Sequence, residues 1–591
     1  MLHLDGSTLE GGGQLVRIAA ALSALTGNPL RVSRIRANRS GSKGLKASHC
    51  AAIKFLLDVC GGTAVGNQVG HHELSIYPRG QKTGSSPQTR WEVGNANSDL
   101  RKSAASLQQL SLASLYSSPR VTVKPEYDIR LSTPGSVFLI FQALYPYLLF
   151  AGAYTPTTEA DAGTSDTTRE NPNEIRVNIT GGTHVSFSPS YDYISQVLIP
   201  NFAKFGLPPL SMELKKRGWA TGQWVEVGAV SLVISPLSAN GTPPRSDNIS
   251  SPLHDSGRAQ AETPPVVFPS IELDAFDKGF ITQIDVTILA PDTLAQKLLK
   301  ELSAKSAKGR NRDKKLQKKA VLCHDASGVR NPYREQENSE DGNEYLSNAG
   351  DQTACMGDAC NMKQGPPQTA REFIQLETIR TLSRELDRQV NREQSVLPAT
   401  PEIDDAEIDD AEIDEMQSHR INIGDVVVNL HTSEATSHYS QTYILLVAHT
   451  STGFRLGRDA LYSSFHHGPS RSDSRPGKKA RKGSAISSAD GGNILLRMKG
   501  MIDQCVTDLM DEFESHPGDQ GQGRQIIMPK KAVDVYMRDQ LVVFEALGRL
   551  THPHPHPRPH LSAGGEQQDE EGVSLHTRTA KWVCEQILGC P

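Results

Sequence analysis

Residues 11–36, GGGQLVRIAAALSALTGNPLRVSRIR, decide the fold. Three glycines lead into an apolar run with helical spacing that reaches Thr26. Gly27 stops it, and Pro29-Leu30 opens an alternating strand that ends near Arg36. The period changes from 3.6 to 2 across a Gly/Pro stop, the signature of a helix followed by a strand. Residues 181–217 run on the same plan: Gly181-Gly182, an apolar run from Tyr191 to Phe205, Gly206, Pro209-Leu210 and a strand ending at Arg217. Residues 174–180 add a strand with Ile175, Val177 and Ile179 on one face. Consecutive units of this kind predict an α/β fold of repeated units, with helices packed on sheets.

At 591 residues the chain has room for two or three domains. Only 37% of it is hydrophobic, with 49 Gly and 35 Pro, so an ordered core diluted by long polar insertions is expected. The net charge of −5 excludes a generally basic nucleic-acid binder and leaves room only for a local basic site. Eight scattered cysteines, with no second pair to match Cys355 and Cys360 at zinc-ligand spacing, read as reduced thiols. The opening MLHLDGSTLEGGG lacks a secretory apolar stretch, so the protein is not expected to be secreted. Residues 136–153 are long enough to span a membrane, but Gln142 and Pro146 interrupt them, and a helix buried in the core is the expectation.

Several stretches are too polar or too repetitive to order themselves. These are 154–173, 238–265, the basic 300–319, the acidic repeat 402–415, the Ser-rich 464–492, 512–524 and the His-Pro run 551–560. Disordered or surface loops are expected there.

The chemistry-bearing residues lie in the ordered parts. Glu10-Gly11-Gly12-Gly13-Gln14 ahead of a helix leaves backbone N–H groups free to face an anion. It is equally a plain tight turn, and no Walker Gly-Lys-Ser/Thr follows. Arg36 and Arg39 in Ile-Arg-Ala-Asn-Arg can clamp a phosphate dianion or serve as surface charge. Tyr536, Asp539 and Gln540 share one helical face at i, i+3, i+4. His576, in Ser-Leu-His-Thr-Arg-Thr, reads by spacing alone as a structural histidine flanked by hydroxyls, with catalysis as the alternative.

In sequence order, LDGxxxEGGGQxxR, IRANR, GGT, YxxDQL and HTxT resemble the RNA 3′-terminal phosphate cyclase family. The resemblance covers roughly residues 1–80, 130–152, 174–236, 440–460 and 528–585. It implies repeated α/β units with a smaller inserted α/β domain, and it skips the long insertions expected to be disordered. It also implies ATP-dependent closure of an RNA 3′-phosphate to a 2′,3′-cyclic phosphate, through a histidine–AMP and then an RNA-adenylate. By that resemblance His576 is the nucleophile. Gln142, Pro189, Tyr536, Asp539 and Gln540 bind ATP, and Phe454 stacks on its base. Arg17, Arg36 and Arg39 hold the RNA phosphate, and Glu10 serves the metal, Mg²⁺ or Mn²⁺. Two positions depart from the family pattern: Ser48 stands for its usual Gln, and His184 for Asn or Asp after Gly-Gly-Thr.

The expected division is a cyclase core over 1–268 with insertions near 82–128, 154–173 and 238–265. An inserted small domain follows over 269–527 with insertions at 300–365, 398–417, 464–492 and 512–524, and the core resumes over 528–591. The partners implied are ATP and RNA with a 3′-phosphate end, with no membrane. Basic clusters at Lys314-Lys315 to Lys318-Lys319 and Lys478-Lys479 to Arg481-Lys482 suggest a nucleus, with the cytoplasm as alternative. The rival function is an inactive cyclase-like scaffold in ribosomal RNA processing, which would lack the nucleophile that His576 supplies.

Overall fold

The computed structural model describes residues 1–39, 41–80, 100–117, 123–154, 173–221, 224–238, 265–293, 369–396, 426–462, 494–513, 532–552 and 573–590. The first unit is β1 (Leu2–Asp5), α1 (Gly13–Thr26), β2 (Leu30–Ser33), α2 (Ala47–Cys60), β3 (Thr63–Val65) and β4 (Leu74–Tyr77). Its sheet has the order β1-β2-β4-β3, parallel between β1 and β2 and antiparallel elsewhere. A parallel pair needs a crossover, and α1 supplies it.

A helix, α3 (Leu100–Ser117), precedes the second unit. That unit comprises β5 (Glu126–Arg130), α4 (Val137–Gly152), β6 (Ile175–Gly181), α5 (Tyr191–Tyr193), a π-type segment Ile194–Leu198, α6 (Ile199–Lys204) and β7 (Leu210–Lys216). The hairpin β8 (Trp219–Thr221) and β9 (Trp224–Glu226) leads to β10 (Gly228–Ile234). The order β5-β6-β10-β7 repeats the first sheet: one parallel pair, then two antiparallel ones.

The internal repeat is therefore present, but its phase differs from the sequence reading. The counterpart of α1 is α4, whereas the run after Gly181 is the second helix of its unit, the counterpart of α2. Glycine precedes both runs for different reasons. Gly181 ends β6, where a Cβ would meet the carbonyl oxygen of Gly135 at 2.6 Å.

The expected buried helix is α4. Ser136 caps it through its hydroxyl, and every residue but Leu139 and Gln142 is buried. It packs on α1 and α2. Among the described residues no helix is long and apolar enough to cross a membrane.

The inserted domain has β11 (Ile281–Pro291), α7 (Ala370–Val396), β12 (Val427–Thr436), β13 (Tyr443–Thr450), β14 (Arg455–Leu461) and α8 (Ile494–Asp511). The order β12-β11-β13-β14 again has one parallel pair, β11 with β12. One sheet face, with Ile284, Val286, Ile444 and Leu446, packs under Leu382, Met498 and Ile502 of α7 and α8. The other, with Leu445, Val447 and Leu456, merges into the main core. That two-sided burial explains why β13 reads as a continuous apolar run. Finally α9 (Val535–Thr551) and α10 (Leu575–Leu588) pack on each other, with α10 also on α1.

Within the insertion expected near 82–128, residues 100–117 form α3, and β5 begins at Glu126. The Ser111 hydroxyl donates to the Ile587 carbonyl at 3.1 Å, which ties α3 to α10. Its polar composition reflects an exposed face, with only Ser111 and Leu115 fully covered among its described side chains. The other expected insertions lie outside the described residues except at their ends, where Glu512 pairs with Arg458.

Candidate active site

Three helix N-termini converge: α1, α2 and α10. The N-cap of α1 is Gly12, whose backbone is extended and which offers no side-chain cap, so the first N–H groups of α1 are left for something else. The glycines are needed for space. A Cβ on Gly12 would fall on the Glu10 carboxylate, and one on Gly13 would fall on Nε2 of His49. Gly11 has φ +60°, the left-handed region that favours glycine.

At α10, the Ser574 hydroxyl accepts from the Thr577 N–H at 3.0 Å and donates to Asp539 Oδ1 at 3.1 Å. The Thr577 hydroxyl donates to the same Asp539 oxygen. The Thr579 hydroxyl accepts from the Glu10 N–H at 3.3 Å. Both threonines of the His-Thr-x-Thr run therefore anchor the turn that carries His576: one to α9, one to the glycine loop. Burial pushes the Asp539 carboxyl above its ordinary value, against the two hydroxyls that lower it.

His576 is half-exposed. Its Nδ1 lies 3.2 Å from Gln14 Oε1 and 3.2 Å from Glu10 Oε2. Burial, then the guanidinium groups of Arg39 and Arg17, lower its pKa and favour the neutral ring. Glu10 does not reverse this, because its other oxygen is already paired with Arg39. With two oxygens facing Nδ1, the neutral ring holds its proton there, and Nε2 keeps the lone pair. A nucleophile of that kind needs no separate base.

Cations surround this ring. Arg17 is buried, its pKa lowered to about 10 by desolvation, and its Nε has no hydrogen-bond partner. Lys46 is pushed down by burial and by Arg36 and Arg39. His49, buried beside Arg17, Arg36 and Lys46, is driven down to about 3 by burial first and those charges second. Its Nδ1 accepts from the Lys46 N–H at 3.1 Å, so its proton sits on Nε2, towards Gly13 and Arg17. Four cations and a neutral donor packed together describe an anion site. Next to it, Gln14, Arg17, Gln142, Asp539 and Gln540 line a small cavity whose walls also include the apolar Phe141, Tyr145 and Phe544.

The profile of the RNA 3′-terminal phosphate cyclase family matches residues 8–591. The chain belongs to that family. Curated RNA 3′-terminal phosphate cyclases similar to it include one from Desulfurococcus amylolyticus, 31% identical over 241 residues, which are 40% of this chain and 50% of that protein. One from Methanosarcina mazei is 30% identical over 241 residues, 41% and 50% of the two chains. One from Drosophila melanogaster is 30% identical over 215 residues, 36% and 42%. The chain spans about half the length of the curated relatives it matches.

Of the residues expected from the cyclase resemblance, His576, Glu10, Arg17, Arg39, Gln142, Asp539 and Gln540 come together in this one place. Gln142 donates to Gln540 across the cavity. Arg36 stands at its edge: its guanidinium donates to the carbonyls of Ser42 at 2.5 Å and Gly44 at 3.4 Å, and its φ is +56°. Pro189 lies in the loop after β6, which a Ser136–Ser188 hydroxyl pair holds against the start of α4. Tyr536 is half-exposed, one helical turn before Asp539 and Gln540.

Phe454 is a correction. It is 3% exposed, wedged among Phe205, Phe276 and Lys204, with no free face for a base. It fills the gap between α6 and the inserted domain. The side chain that covers Tyr536 is Arg458, 4.8 Å above the ring.

His184, the departure after Gly-Gly-Thr, is a satisfied core residue. It is stacked 4.4 Å from Trp219 and bonded through Nε2 to Asp192 at 2.8 Å. Gln14, Lys46 and His49 escaped the sequence reading as site residues. Gln14 was visible in the glycine motif, whereas Lys46 and His49 are brought in by tertiary packing alone.

The carboxylate that a divalent cation would meet here is Glu10, whose Oε1 pairs with Arg39 and whose Oε2 faces His576 Nδ1 at 3.2 Å without a hydrogen bond. Among the described residues no three His, Cys, Asp or Glu cluster as a metal cage. A single carboxylate fits Mg²⁺, which is usually held by one or two carboxylates together with substrate phosphates.

Proposed function

We propose that this chain converts an RNA 3′-phosphate to a 2′,3′-cyclic phosphate at the expense of ATP. The observation that carries the reading is His576, its Nδ1 held by Gln14 and facing Glu10, beside the buried Arg17 whose Nε has no hydrogen-bond partner, in a chain that belongs to the cyclase family.

Nε2 of His576 attacks the α-phosphorus of ATP. A P–N bond forms, the P–O bond to pyrophosphate breaks, and pyrophosphate leaves. An oxygen of the RNA 3′-phosphate then attacks the same phosphorus, which returns the electron pair to Nε2 and gives an RNA-adenylate. The neighbouring 2′-hydroxyl attacks the activated 3′-phosphorus, loses its proton and expels AMP. Such transfers need charge neutralisation more than covalent help. Arg17, Arg36 and Arg39 are assigned to the RNA phosphate, with Lys46 and His49 beside them. Gln142, Asp539, Gln540, Tyr536 and Pro189 are assigned to ATP. Mg²⁺ or Mn²⁺ held by Glu10 would neutralise charge on the nucleotide phosphates.

The test is incubation with α-labelled ATP and no RNA. The protein should gain one adenylate through an acid-labile, alkali-stable bond, and His576→Ala should gain none. Labelling that survives in His576→Ala refutes the assignment, and a wild type that never labels leaves the inactive scaffold. Nuclear localisation rests on basic clusters outside the described residues, and imaging of the tagged full chain checks it.

A further inference from the structure

The helix that carries Tyr536, Asp539 and Gln540 begins at Asp534, whose side chain is fully buried. Its Oδ1 accepts from the N–H groups of Tyr536 at 3.0 Å and Met537 at 2.9 Å, and from the Tyr193 hydroxyl at 2.7 Å. Its Oδ2 accepts from the Gly457 N–H at 2.8 Å. A helix cap needs only the first two of these donors. The others come from α5 in the core and from β14 in the inserted domain, so one carboxylate joins three segments.

Gly457 is what lets β14 come this close. A Cβ there would meet Val197 Cγ2 at 2.7 Å and the Tyr193 ring at 2.9 Å. The next residue, Arg458, covers the Tyr536 ring and pairs with Glu512, and Glu512 accepts from the Val535 N–H at 3.2 Å. The first turn of α9 is thus fastened to β14 from two sides.

We propose that Asp534 is a positioning residue for the nucleotide step. It fixes α9 along its own axis against β14, and so sets where Tyr536, Asp539 and Gln540 stand in front of His576. The inference rests on the cyclase reading. A helix transmits such a displacement along its length, because its backbone bonds make it a rigid rod. The turn that carries His576 is also tied to α9 through Asp539, but Gln14 and the Glu10 loop, through Thr579, hold the ring from the side of α1, so a shift of α9 moves the nucleotide groups more than the ring.

Asp534→Asn tests it. Asparagine caps a helix about as well as aspartate. With its oxygen turned to the cap, however, its NH2 group faces the Gly457 N–H, donor against donor. The ATP concentration for half-maximal labelling of the protein should rise about tenfold, the usual scale for one lost buried hydrogen bond. Adduct already formed should pass AMP to 3′-phosphate RNA at the wild-type rate. A cap that served stability alone would lower the melting temperature and leave the ATP requirement of the folded fraction unchanged. Tyr193→Phe removes one donor and keeps the ring, and should shift the ATP requirement in the same direction, about threefold.

A wild-type ATP requirement in Asp534→Asn overturns the proposal, as does an equal fall in labelling and transfer. If Asp534→Asn does not fold, a wild-type requirement in Tyr193→Phe overturns it. A wild type that forms no adduct refutes the cyclase reading itself, and is told apart by that.

Discussion

Gln14 Oε1 and His576 Nδ1 lie 3.2 Å apart across 562 residues of sequence. Each sits on the first turn of its helix, α1 and α10. The pair fixes the tautomer of His576, with the proton on Nδ1 and the lone pair on Nε2. Gln14→Leu should slow protein labelling by about tenfold while ATP binding stays intact, since the lost bond orients the ring and not the nucleotide. Single-turnover labelling at saturating ATP measures it.

The pH dependence follows from the direction of the His576 shift. On the proposed mechanism the neutral ring is the reactive form, and its pKa is lowered by burial, Arg39 and Arg17. As pH falls, labelling should hold through the ordinary histidine value of about 6.5 and decline only below it. Arg39→Gln removes one positive charge and frees Glu10, and both changes favour protonation. The acid limb should therefore move to higher pH in that variant, as a labelling-rate profile would show.

Arg39→Ala should still form the adduct, which then accumulates because its acceptor docks poorly. Transfer to 3′-phosphate RNA should fall roughly ten- to hundredfold, the scale of a lost charge-assisted contact. Arg36→Ala should differ by also lowering the melting temperature, because its guanidinium bonds the carbonyls of Ser42 and Gly44. Labelling, discharge and thermal unfolding separate the two.

Gly13→Ala adds a methyl group where the His49 imidazole stands. A side chain that is 3% exposed has nowhere to move, so the substitution should cost about 1–3 kcal/mol in denaturant unfolding, as overpacked cores do. It should also impair RNA discharge more than labelling, because His49 belongs to the cationic group and not to the nucleotide cavity.

The interface of the inserted domain carries a second, ionic tie. Arg217 pairs with Asp192 at 2.8 Å and with Glu434 of β12 at 2.8 Å. Burial pushes Asp192 up, but hydrogen bonds and charge from His184 and Arg217 bring it down to about 2. A depressed carboxyl contributes stability above its unfolded value of about 4 and loses it as pH falls towards its folded value. Arg217→Met leaves that charge buried with a weaker partner, and should cost about 3–5 kcal/mol at neutral pH. Its acid unfolding should begin at higher pH than in the wild type, by circular dichroism.

What the sequence made legible followed physical periodicity. The helices α1, α4 and α9 carry strong apolar patterns and Gly or Ser/Asp boundary signals, and their placement agrees with the structure. The phase of the repeat was hidden because both halves of a unit alternate helix and strand, so periodicity alone does not say which half is in view. Segment α3 was lost among polar neighbours because little of it is buried. Phe454 misled because an aromatic near a site looks the same whether it faces solvent or fills the gap beside α6. The cation cluster was half visible: Arg36 and Arg39 stood out, while Lys46 and His49 join only when α2 packs behind the glycine loop.

The convergence of α1 and α10 has a consequence for synthesis on the ribosome. Glu10, Gln14 and the arginines are translated well before His576, and the strands of both core sheets are complete by Ile234. The histidine of α10 follows Gln14 by 562 residues. Nascent chains would thus carry the cations of the site before the histidine that faces them. On the proposed mechanism, a message cut short before Leu575 would yield a chain that has the cations but lacks both its nucleophile and the Thr579 contact that holds the glycine loop.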